Sequence, residues 1–185
     1  MKKFFIYLAT LSSMSCSAPK QVTTKSGAIN NPLEGTWVLS NVLMGDAMDA
    51  PCGFMNEGKI KEMNLTFTSE KGPTGEKSKL NGQSSVNTFL GNYTVLSYDK
   101  KTNTGKIELD ALISTKMASV NPAFMECETR YLTYLQKVED FKIEDGKLQL
   151  SKTYPLPKGD TGHSPFGDSY KNILYFKKKQ VLDQK

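Results

Sequence analysis

The chain has 185 residues with a formal net charge of +5, and 38% of its residues are hydrophobic. That length suits one domain plus a short leader. Its basic residues are nearly all Lys, with Arg130 the single Arg, and they are interspersed with Asp and Glu. Base and phosphate recognition favour the planar guanidinium, so the composition argues against a nucleic-acid partner despite a pI near 9.0.

Residues 1–15 read as an export signal. Met1-Lys2-Lys3 is basic, and Phe4 to Leu11 is apolar apart from Thr10. This run is far short of the ~20 residues that cross a bilayer, but it suits the core of a signal peptide. Ser13-Met14-Ser15-Cys16 then forms a loose lipobox, without the usual Leu three residues before the Cys. The expectation is cleavage before Cys16 and diacylation of its thiol; the alternative is a plain secreted chain. Two acyl chains, at about 0.8 kcal/mol per buried CH₂, would hold the protein to a membrane. Removing Lys2 and Lys3 with the leader leaves 22 basic against 19 acidic residues, a net +3. Residues 16–31, rich in Ser, Thr and Lys, read as a flexible tether. Ser17 rather than Asp follows the Cys, which points to an outer-membrane lipoprotein facing the periplasm.

The remaining Cys52 and Cys127 are an even pair in an oxidising compartment, so a disulfide is expected. The alternative is two buried thiols. Two Cys and a distant His do not make a zinc motif, and no metal or cofactor is expected.

The domain is expected over residues 32–179, with a disordered tail at 180–185. Glu34 to Ser40 alternates as a first strand, continued by Val42 to Met44 past a kink at Asn41. Gly45 to Gly58 reads as a loop. Ile60 to Thr68 alternates with Met63, Leu65 and Phe67 on one side. Ser69 to Lys79 reads as a turn and Leu80 to Val86 as a short strand. Gly91 divides Thr88–Leu90 from Asn92–Tyr98, suggesting a bent strand. Lys106 to Leu109 follows a polar turn. Asn121-Pro122 supplies an N-cap and a first helical Pro. After it, Phe124, Cys127, Tyr131, Tyr134, Leu135 and Val138 make one apolar stripe. Asp145-Gly146 marks a hairpin between Phe141–Ile143 and Lys147–Leu150. Thr153 to Ser169 reads as a loop and Ile173 to Phe176 as the last strand. Lys177-Lys178-Lys179 reads as a solvated strand end. The fold class is mainly β (α+β): a curled or barrel-like antiparallel sheet with one helix packed across it.

The residues from Gly82 to Tyr93 resemble a motif of META domains, a family that includes the HslJ-like heat-inducible lipoproteins. Its Gly82, Asn87, Phe89, Gly91 and Tyr93 fit "G-x-x-x-N-x-F-x-G-x-Y". Thr115, Lys116 and Met117, with Pro122 and Glu128, resemble the second motif. Trp37 in Leu33-Glu34-Gly35-Thr36-Trp37 resembles the family's opening. The resemblance implies a β-rich barrel-like sheet crossed by one helix, and an association with envelope stress but no defined activity. Many members carry two further Cys, where this chain has Val86 and Ser119. Cys52 and Cys127 would then tie the first long loop to the helix instead. Gly-x-Trp also resembles the opening of lipocalins.

Candidate chemistry is sparse. Asp160, His163, Ser164, Asp168 and Ser169 are the residue types of a triad or a cation site, but they share one loop, which cannot fix the geometry. Gly72 to Ser78 is a near miss to a P-loop, because Glu76 separates Gly75 from Lys77. The polar motif residues are expected to hold loops through backbone hydrogen bonds, with Lys116 a possible partner for Glu128. The expected function is a non-catalytic envelope module that contacts another envelope component. The alternative is a lipocalin-like carrier of a small apolar ligand, which needs a cavity of about 300 Å³ or more.

Overall fold

A computed structural model describes residues 31–49, 52, 61–72, 75, 77–156 and 166–180. The expected leader, Cys16 and the tether to residue 30 lie outside the described residues. So do Asp160, His163, Ser164 and the tail beyond Gln180. Asn31, expected in the tether, belongs to the domain: its side-chain carbonyl accepts from Leu33 N at 3.2 Å and its amide donates to the Tyr93 hydroxyl.

The described strands are β1 (Gly35–Met44), β2 (Ala47–Asp49), β3 (Asn64–Lys71), β4 (Ser78–Gln83), β5 (Thr88–Asp99), β6 (Thr104–Leu109), β7 (Ile113–Ser114), β8 (Asp140–Glu144), β9 (Lys147–Pro155) and β10 (Ser169–Lys178). A single described helix, α1 (Pro122–Leu135), separates β7 from β8. The strands follow one another as antiparallel neighbours in the order β1, β3, β4, β5, β6, β8, β9, β10. β10 then pairs with β1, so the sheet closes on itself as an uneven ring. Closure leaves few unpaired edges. β2 and β7 are short additions to β1 and β5.

Alternation sets what fills the ring. Trp37, Leu39, Met63, Leu65, Phe67, Leu80, Phe89, Tyr93, Ile107, Phe141, Leu148, Leu150, Leu174 and Phe176 are buried in one cluster, joined by Cys127, Tyr131 and Leu135 of α1. The expected kink in β1 is a bulge: the register against β10 shifts between Leu39 and Asn41. The extra residue reverses the parity of the strand. Trp37 and Leu39 point inward before it, and Val42 and Met44 line an inner pocket after it. A second shift between Val95 and Ser97 bends β5. Beyond it Tyr98 stacks on Phe141, ring centroids 5.9 Å apart. Gly105 leaves room for the Phe141 ring, since a Cβ there would stand 2.5 Å from that ring and 2.2 Å from the Ser97 carbonyl oxygen.

Several boundaries differ from the sequence reading, because pairing overrides local propensity. β9 runs through Pro155 and β10 starts at Ser169, where a loop was expected, since Tyr154 faces Tyr170 in the ladder and their rings stack at 5.0 Å. β4 starts at Ser78 and stops at Gln83, so Ser84 to Asn87 is a turn rather than strand. β2 and β7 had no periodicity to announce them. The basic strand end is partly structural: Lys178 Nζ lies 4.6 Å from the Trp37 ring centroid and Lys179 pairs with Glu62 at 2.6 Å.

The helix begins as its sequence dictates. Asn121 is extended, its side chain accepts from Ala123 N at 3.0 Å, and Pro122 fills the first turn. Cys52 and Cys127 form a disulfide, Cα atoms 5.1 Å apart, which fastens the segment after β2 to α1. The bond closes a loop of 75 residues. Replacing both by Ser is expected to lower the unfolding free energy by about 2–4 kcal/mol, read from the urea midpoint.

Candidate functional site

The two family-like motifs meet at one end of α1. The turn from Ser84 to Asn87 joins β4 to β5 and buries Ser84, Ser85, Val86 and Asn87. Glu128 faces it from the helix and is only 6% exposed. Its position is a consequence of the helical period: it follows Cys127 and precedes Tyr131 by three, so it shares their inward face.

A carboxylate so placed must be hydrogen-bonded. Asn87 N donates to Oε2 at 2.7 Å and Asn87 Nδ2 donates to Oε1 at 2.8 Å. The Ser84 hydroxyl lies within hydrogen-bond reach of the same carboxylate and of Asn87 O. Burial alone would raise the Glu128 pKa, but the bonds from Ser84, from the Asn87 side chain and from the backbone of Asn87 and Val86 outweigh it. The carboxyl is therefore held below its ordinary value and is ionised at neutral pH.

Asn87 is spent on both sides. Its carbonyl oxygen accepts from Thr115 Oγ1 at 2.7 Å and Met117 N at 2.8 Å, while Nδ2 also reaches Met117 O at 3.1 Å. Ser85 Oγ donates to Phe124 O at 2.7 Å. One knot thus ties the β4–β5 turn to α1 and to the segment after β7. Lys116 does not join it. Its side chain is exposed, and the expected pairing with Glu128 is replaced by the Ser84 and Asn87 bonds.

The other motif residues pack. Trp37 is 2% exposed and its indole N–H donates to Leu33 O at 2.7 Å. Phe89 meets Tyr131 edge-on, centroids 6.0 Å apart. Tyr93 meets Phe67 in the same way at 4.8 Å, and its hydroxyl donates to Thr68 O at 3.1 Å. At Gly82 a Cβ would stand 2.3 Å from the Asn64 carbonyl oxygen and 2.4 Å from the Phe89 ring; at Gly91 it would press on Leu112 at 2.9 Å. The positions of the family's further Cys pair hold buried Val86 and Ser119, whose Oγ accepts from Asn121 N at 3.1 Å. Sequence reasoning did not single out Ser84 and Ser85; a Ser pair four residues short of a strand gives no periodic signal.

The space between sheet and helix, where a carrier would hold its cargo, is an apolar pocket of about 50 Å³. That admits a water or a single ion, against the 300–1,000 Å³ of ordinary ligand sites; two wider, open hollows, of about 530 Å³ beside Ile107 and Val138 and about 730 Å³ beside Phe141 and Tyr175, fall in that range. Among the described residues, no group of three or more His, Cys, Asp or Glu could hold a metal.

Glu128→Gln is expected to cost about 2–3 kcal/mol, because an amide N–H would face the Asn87 donors. The sign of the pH effect follows from the lowered pKa. Glu128 stabilises fully above its unfolded value near 4.5, and that contribution is lost as the pH falls towards the folded value. Urea unfolding from pH 6 to pH 3 is expected to show a shallower acid limb in Glu128→Gln than in the parent. Gly82→Ala is expected to cost about 1–3 kcal/mol, as backbone blocks the new methyl.

A solved NMR structure of a protein from Burkholderia xenovorans shares this fold, with a TM-score of 0.52. It is 21% identical, over 94% of this chain and 100% of that one. No curated protein matches the sequence. The META domain family model matches residues 31–160, which span the ring from before β1 through β9, the motif knot and α1. The chain belongs to the META domain family.

Proposed function

We propose that this META domain is a lipid-tethered module of the bacterial envelope that works by contact with another envelope component rather than by catalysis. The observation that supports this most directly is where the motif's polar groups go. Both oxygens of Glu128 and both ends of the Asn87 amide are taken up inside the protein. A catalytic group needs an open valence towards substrate.

The knot also presents something. The segment it pins carries Ile113 (66% exposed), Met117 (48%) and Val120 (105%), and Leu90 faces Ile113 across the β5–β7 ladder. Exposed apolar side chains on a pinned backbone suit a contact surface, because little ordering is left to be done on binding. The anchor reading rests on the basic start, the apolar run and Cys16.

Two measurements test the halves separately. Radiolabelled palmitate is expected to mark the parent chain, and Cys16→Ser is expected to remove the label and release the protein from membranes. A photo-crosslinking residue at 113 or 120 is expected to give one discrete adduct in cells, and at 101, in the far turn, none. Equal adducts from all three positions would sink the contact reading.

A further inference from the structure

Four sulfur-bearing side chains meet where the inner apolar pocket touches the disulfide. Met44, Cys52, Met63 and Cys127 all line it, together with Tyr131 and Arg130. They come from β1, the segment after β2, the approach to β3, and α1. Met63 Sδ lies 3.5 Å from Cys52 Sγ, in contact. Cys52, Met63 and Cys127 are each at most 9% exposed. Cys52 holds a left-handed backbone, φ 65°, which is unusual for a side chain with a Cβ. Among the described residues the buried Tyr131 hydroxyl has no hydrogen-bond partner, and Tyr131 lines the same pocket.

We infer that, with its disulfide reduced, this pocket is a binding site for a soft monovalent metal ion, copper(I), held by the Cys52 and Cys127 thiolates and the Met63 thioether. Thiolate and thioether sulfur select copper(I) over harder ions, and the pocket lining is mostly apolar. The pocket's 50 Å³ matches one ion. Two thiolates and one copper(I) leave one negative charge, and Arg130 at the pocket's edge carries the opposite sign. Met44 also lines the pocket.

The chemistry balances with an external dithiol as reductant. Exchange converts the Cys52–Cys127 disulfide to two thiols and the dithiol to its own disulfide. Copper(I) then displaces both thiol protons, forming two copper–sulfur bonds. The disulfide is therefore the closed state of the site and the dithiol its open state. This site is independent of how the chain is anchored.

The test uses the full chain from an exporting host, reduced with dithiothreitol, desalted without oxygen and titrated with copper(I) held by bicinchoninate. The reduced chain is expected to withdraw one copper(I), and the oxidised chain none. X-ray absorption at the copper edge is expected to show three sulfurs. Met63→Leu, which conserves volume, should leave two sulfurs and at least tenfold weaker binding; Cys127→Ser should abolish it. Near-ultraviolet circular dichroism checks that reduced parent and variant are folded. The inference is overturned if the reduced chain withdraws no copper or the oxidised chain withdraws as much. It is equally overturned if Met63→Leu changes neither affinity nor sulfur number, or if copper binds only to unfolded chain.

Discussion

Glu128 carries a negative charge into the layer between α1 and the ring, and the nearby backbone is arranged around the need to hydrogen-bond it. Asn87 and Ser84 meet the carboxylate from the β4–β5 turn. Asn87 can do so only because its own carbonyl is satisfied by Thr115 and Met117. The helix is therefore placed by electrostatics as well as by apolar packing. Packing alone tolerates small slides of a helix over a sheet; a carboxylate with fixed donors does not. This accounts for Asn, Thr, Met and Glu falling in motifs that are far apart in the chain yet adjacent in the fold.

The same constraint decides what is left on the surface. A turn and a loop that spend their polar groups inward show their remaining side chains outward. Thus Met117 gives its backbone to Asn87 and its side chain to solvent. Val120 and Ile113, on either side of it in the chain, are exposed as well. Beside Glu128 on the same buried face of the helix the disulfide does a parallel task, joining α1 to the segment after β2. The helix is thus held at Glu128 by hydrogen bonds and at its neighbour Cys127 by a covalent bond. Tyr131, one turn on, fills the gap between them, edge-on to Phe89.

Much of the fold was legible from local patterns. Period-two alternation marked Met63, Leu65 and Phe67 as inward, and Asn121-Pro122 marked the helix start. The Asp145-Gly146 hairpin took its place between β8 and β9. What was not legible depended on partners distant in sequence. Thr153 to Pro155 looks like loop until β10 lies beside it. The bulge between Leu39 and Asn41 is a mismatch in pairing with Tyr175 and Phe176, so β1 alone could show only that something breaks near Asn41. Of the candidate site, the motif residues were visible but their roles were not. Lys116 was a possible partner for Glu128, and it is exposed instead.

By itself the sequence determined the class of the protein: short alternating strands, one capped helix, an even pair of cysteines, and motifs that belong to META domains. These are local properties, written in side-chain period, capping chemistry and composition. Only the tertiary structure decided that β10 returns to β1 and closes the ring, that Glu128 is satisfied by Asn87 across 41 residues, and that four sulfurs share one small pocket. Each of these is a contact between segments far apart in the chain. Its energy depends on burial and mutual geometry, and neither exists until the segments are brought together.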